Sequence, residues 1–112
     1  MLTILAALTL AGQPVAPTLT PPQTAALRCG VVFALATRMQ AEGDPAAARW
    51  PVLGARGKEY FVRVTAKLMD ETGASREALA ALATREVAPL QTEGAMAAAM
   101  AGCLPLLDAA GL

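Results

Sequence analysis

The chain is predicted to fold as an all-α domain, a small bundle of about four helices stapled by one disulfide and preceded by a signal-like N-terminal segment. Three observations predict this. Alanine is the commonest of the 112 residues, and only four are aromatic: Phe33, Trp50, Tyr60 and Phe61. Alanine has the best helix propensity, and the large residues that favour strands are scarce. Helix start and stop signals recur along the chain, with no run of strand-like alternation. Two cysteines, Cys29 and Cys103, lie far apart in the sequence. A chain this short builds a modest core and often relies on a staple.

The N-terminal segment carries no charged side chain before Arg28. Leu2 to Ala11 is an apolar run, too short to span a bilayer but suited to the h-region of a secretory signal. A signal peptide over residues 1–16 is expected, with the mature chain beginning between Gly12 and Thr18. A proline-rich linker over 17–22 follows, and residues up to Thr20 should contribute nothing to the core. Residues 23–112 then form a single helical domain. This places the protein in the periplasm or outside the cell.

The first long helix is signalled by Thr20-Pro21-Pro22-Gln23, with threonine as N-cap, proline at the first helical position and glutamine completing a capping box. It should run to about Glu42 and stop at Gly43. Ala25, Cys29, Val32, Ala36 and Met39 make one apolar stripe; Leu27, Val31 and Leu35 make a second. Apolar residues on this much of its circumference make the helix central. Asp44-Pro45 caps a short turn, and Arg49-Trp50-Pro51 should leave the helical region because of the proline. Gly54 to Thr72 reads as an amphipathic helix, with Tyr60, Phe61, Val64 and Leu68 inward. Gly73 ends it. Ser75 caps the next helix, whose inner face is Leu79, Leu82, Ala83, Val87 and Leu90, and Pro89 must kink or end it. After Gly94, Ala95 to Ala101 reads as a short alanine-rich helix, with a separate last turn after Pro105.

In an oxidising compartment, Cys29 and Cys103 should pair. Their Cα atoms should then lie roughly 4.4 to 6.8 Å apart. Pro105, Leu106 and Leu107 should pack on the first helix near Ala25, Val32 or Leu35.

Catalytic chemistry finds little footing. The chain has no histidine and no asparagine, and its single serine, Ser75, is placed as a helix cap. Two distant cysteines make no zinc site, and Gly54-Ala55-Arg56-Gly57-Lys58 lacks phosphate-loop spacing. No metal or cofactor is expected. Nine basic and nine acidic side chains give a net charge of zero, so no global field recruits nucleic acid or an anionic membrane.

The charges are segregated, however. Arg49, Arg56, Lys58, Arg63 and Lys67 stand against Glu59 alone, while acids predominate from Asp70 onward. Attraction between neighbouring helices explains this more simply than a docking face. With Trp50, the same five residues form the candidate binding surface. Trp50 can lid a thin core or anchor a partner, and Met39, Met69, Met96 and Met100 can fill the core or line an adaptable groove. Asp70-Glu71 should form salt bridges with Lys67 and Arg76, since adjacent helical residues do not converge on one substrate.

The plan of signal, about four helices and one disulfide resembles the small periplasmic acid-stress chaperones of Gram-negative bacteria. The likeness is architectural; no motif carries it and no residue transfers. The expected function is binding, with a protein or an apolar ligand as partner. The alternatives are a small enzyme using Asp70 or Glu71 with Arg63 or Lys67, and a cytosolic nucleic-acid binder using Arg49 to Lys67.

Overall fold

A computed structural model describes residues 17–112. It contains four α-helices: α1 (Pro21–Ala41), α2 (Gly54–Thr72), α3 (Arg76–Leu90) and α4 (Ala95–Ala109). A 3₁₀ turn (Pro45–Ala47) links α1 to α2, and no strand occurs among the described residues. The expected signal segment over 1–16 lies outside the described residues.

α1 starts where its capping signal stands. The Thr20 side chain accepts from the Gln23 amide at 3.3 Å, and the Gln23 side chain accepts from the Thr20 amide at 2.9 Å. Pro21 and Pro22 of the expected 17–22 linker therefore belong to the helix itself, as its first two residues. Leu19, expected to lie outside the core, packs against it. It precedes the N-cap, where an apolar residue folds back onto the helix it introduces. The stop at Gly43, the Asp44 cap and the stop at Gly73 all occur, with both glycines in the left-handed conformation at φ 71° and 69°.

α1 is the central element and touches the 3₁₀ turn and the other three helices. Phe33, Val32 and Ala36 on it have no exposed surface. α2 runs antiparallel beside it at close range, because each helix offers a glycine at the contact. A Cβ at Gly57 would stand 3.1 Å from Thr37 Oγ1 and 3.2 Å from Phe33 Cβ; one at Gly30 would stand 3.1 Å from the Phe61 ring. Phe33 and Tyr60 then meet edge-to-face, with centroids 5.0 Å apart. Leu79 from α3 and Met100 and Leu107 from α4 complete the core.

Cys29 and Cys103 are joined, with Cα atoms 5.3 Å apart. The bond fixes α4 to α1 and is itself buried, at 6 % and 3 % exposure. Three expectations for the packing are corrected. The C-terminal segment is one helix of 15 residues that passes through Gly102 and Pro105. Met96, Met100, Cys103 and Leu107 fall on one stripe at helical spacing, and docking that stripe on the core offsets the bond lost at Pro105. Only Leu107 of the expected trio is buried; Pro105 and Leu106 face outward. Ala25 is also exposed, since α1 turns Leu27 inward at that level. Pro89 ends its helix within two residues, at the Gln91 cap.

Candidate functional site: two clefts at opposite ends of α1

The structure divides the candidate binding surface. Trp50 and Arg49 lie in the loop after the 3₁₀ turn, by the C-terminal end of α1. Arg63 and Lys67 lie on the far half of α2, beside the N-terminal end of α1. Trp50 borders one cleft, and Arg63 and Lys67 border another.

The first cleft has a volume of about 580 Å³ and lies between the ends of α1 and α3 and the start of α4. Leu35, Met39, Leu90 and Met96 supply apolar walls, Trp50 closes one side, and Arg38, Glu42 and Asp44 stand among its lining. Arg38 and Glu42 pair with each other at 3.0 Å, one turn apart. Trp50 is half-buried and packs against the core, as a lid would, while one surface remains open to the cleft. Of the four methionines weighed for an adaptable groove, Met39 and Met96 line this cleft. Met100 is buried in the core, and Met69 borders a separate groove between α2 and α3.

Trp50 owes its position to Gln40, a residue that sequence reasoning did not single out. The Gln40 amide nitrogen donates to the Pro51 carbonyl at 2.9 Å and lies 3.4 Å from the Trp50 carbonyl. Its Oε1 accepts from the Leu53 amide at 3.1 Å. Leu53 is the N-cap of α2 and has no capping side chain of its own. Gln40 thus satisfies a loop whose proline breaks the helix, and it sets the start of α2. The available signal was a glutamine in the last turn of α1, facing a Trp-Pro loop whose polar groups need partners.

The second cleft, of about 510 Å³, lies between the first turns of α1 and the C-terminal half of α2. Tyr60, Val64 and Leu68 form its apolar side with Pro22 and Ala26, and Arg63, Lys67 and Glu71 stand on its border. Tyr60 is 5 % exposed, and desolvation raises its phenol above the ordinary value of 10.0. The hydroxyl therefore stays protonated and is a donor at neutral pH.

The remaining basic residues have separate tasks. Arg56 Nε donates to the Leu112 carbonyl at 2.8 Å, and Arg63 Nη1 to the Ala110 carbonyl at 3.2 Å, while Arg63 Nε pairs with Glu59 at 2.9 Å. Cations at the C-terminal end of α4 complement its dipole and satisfy orphan carbonyls. Two of the segregated basic residues, Arg56 and Arg63, therefore tie α2 to the backbone just after α4, where attraction between side chains of neighbouring helices was expected. Arg49 and Lys58 are exposed. The salt bridges expected for Asp70 and Glu71 do not form among the described residues; α1 and α3 are instead tied by Arg28 and Glu86 at 2.8 Å. Glu71 reaches the second cleft and Asp70 does not, so the two carboxylates do not face a common point. No group of three or more His, Cys, Asp or Glu side chains suited to a metal ion occurs among the described residues.

No protein-family model, curated protein or solved structure matches the chain.

Proposed function

We propose that the protein is a small exported binding domain, periplasmic or secreted, that takes an apolar ligand or an apolar segment of a partner protein at the Trp50 end. The observation that carries this reading is the first cleft. It combines thioether, aliphatic and indole surfaces with charged side chains, and its volume lies in the range of ligand pockets. Methionine adapts to irregular apolar shapes, and a partly exposed tryptophan supplies a large contact at low entropic cost. Export is supported by the signal-like composition of the first residues and by a disulfide, which persists in oxidising compartments. Among the described residues, no helix is long and apolar enough to cross a membrane.

Trp50 is the only tryptophan, so the cleft carries its own reporter. Titration with the apolar fluorophore N-phenylnaphthylamine should give saturable energy transfer from Trp50. A Met39→Gln, Met96→Gln variant that keeps its helical circular dichroism should lose that transfer. Absent transfer, or transfer unchanged in the variant, rejects the reading. N-terminal sequencing of the protein from its native host tests export separately: a chain that retains Met1 would reject it.

A further inference from the structure

The sulfur atoms of the domain divide by access. Both cysteines of the chain are joined in a buried bond, so neither offers a thiolate to an oxidant. The thioethers are the oxidisable sulfur that remains. Met100 is buried among the helices. Met39 of α1 and Met96 of α4 are partly exposed and line the same first cleft. Met69 is partly exposed too, but it borders the groove between α2 and α3. Oxidation follows exposure, and it turns a flexible apolar side chain into a polar, chiral one. In the first cleft that change falls on the apolar wall itself, beside Leu35, Leu90 and Trp50. The fully buried methionine of the core is Met100, so oxygen added at Met39 and Met96 alters the cleft and spares the buried core.

We infer that Met39 and Met96 are a paired oxidation site, at which a peroxide closes the first cleft to apolar ligands. At each residue the thioether sulfur gives two electrons to the peroxide. The O–O bond breaks, an S–O bond forms, and the second oxygen leaves as water with both peroxide protons. The sulfoxide oxygens are acceptors, and an apolar ligand gives them no donor. The loss of binding rests on the reading of this cleft as an apolar-ligand site; the selectivity of the oxidation rests on burial alone.

Treatment of the unreduced chain with hydrogen peroxide tests both parts. Peptide mapping by mass spectrometry locates the oxygen, and N-phenylnaphthylamine titration, with the dye excited directly, reads the cleft. Met39 and Met96 should be oxidised well before Met100, with helical circular dichroism kept. Dye affinity should then fall about tenfold, the order expected when an apolar surface gains unpaired polar groups. A Met39→Leu, Met96→Leu variant conserves apolar volume and cannot be oxidised at the cleft, so it should bind the dye equally before and after treatment. Met69→Leu should lose affinity as the parent chain does. Met100 oxidised as fast as the cleft pair, affinity unchanged in a chain carrying both sulfoxides, or a loss that persists in the double leucine variant would each overturn the inference. An untreated chain that does not bind the dye would reject the ligand reading of the cleft and this inference with it. Binding that survives oxidation would reject this inference alone.

Discussion

At the scale of single residues, the glycines show how the same side chain carries opposite constraints. Gly57 and Gly102 both sit inside helices, where alanine ordinarily stabilises by about 0.5 to 1 kcal/mol. A Cβ at Gly102 would meet nothing within 4 Å, whereas one at Gly57 would press on Thr37 Oγ1 and Phe33 Cβ. Gly102→Ala should therefore raise the midpoint of urea unfolding. Gly57→Ala should lower it, since overpacking costs about 1 to 3 kcal/mol. Gln40→Ala should cost about 1 to 2 kcal/mol by removing the side chain that satisfies the loop, and Trp50 emission should shift to the red as its position loosens. Tyr60 gives a pH dependence of defined sign. Its folded pKa lies above its unfolded value near 10.0, so its contribution to stability is complete below pH 10 and is lost as pH rises through the higher folded value. Tyr60→Phe should reduce that alkaline loss in thermal melts taken across this range.

At the scale of elements, α1 and α4 are made by different means. α1 is specified locally by its capping box, its prolines and the left-handed glycine that follows it. Thr20→Ala should cost about 1 kcal/mol and fray the first turn, read as faster amide exchange there. Because Leu19 packs on the core and Thr20 caps the helix, a mature chain beginning beyond Leu19 should lose that contribution as well. Truncations starting at Thr18 and at Gln23 test this: the first should keep the melting temperature of a longer chain and the second should not. α4 has no capping side chain and contains both Gly102 and Pro105. Its existence depends on the core against which Met100, Cys103 and Leu107 dock.

At the scale of the whole molecule, the Cys29–Cys103 bond joins residues 74 positions apart. Loop-closure entropy puts its contribution at about 4 kcal/mol, a large share of the stability of a domain this size. Reduction should lower the melting temperature on the order of 20 °C. Mass spectrometry of the unreduced protein should show no thiol that alkylates freely. A reduced protein that melts at the same temperature would mean that the helices alone hold α4 in place.

The sequence by itself determined the helical class, the bounds of α1 and α2 and the cysteine pairing. These rest on local chemistry: caps, proline geometry, glycines that accept positive φ, and the fact that two cysteines allow one intramolecular bond. Only the tertiary structure decided the continuity of α4, because packing energy outweighs the local penalties of Gly102 and Pro105 and propensity cannot register it. The tertiary structure likewise divided the candidate surface. Trp50 and Lys67 are close in sequence, but the antiparallel run of α2 along α1 carries them to opposite ends of the domain. It turned Arg56 and Arg63 toward the backbone just after α4, although their charge pattern suggested an acidic partner helix. It also brought Tyr60, a residue legible as core, to the edge of a cleft with its hydroxyl unpartnered among the described residues. Burial of a ring can be read from the spacing of apolar residues, but where its hydroxyl emerges depends on which helices converge beside it.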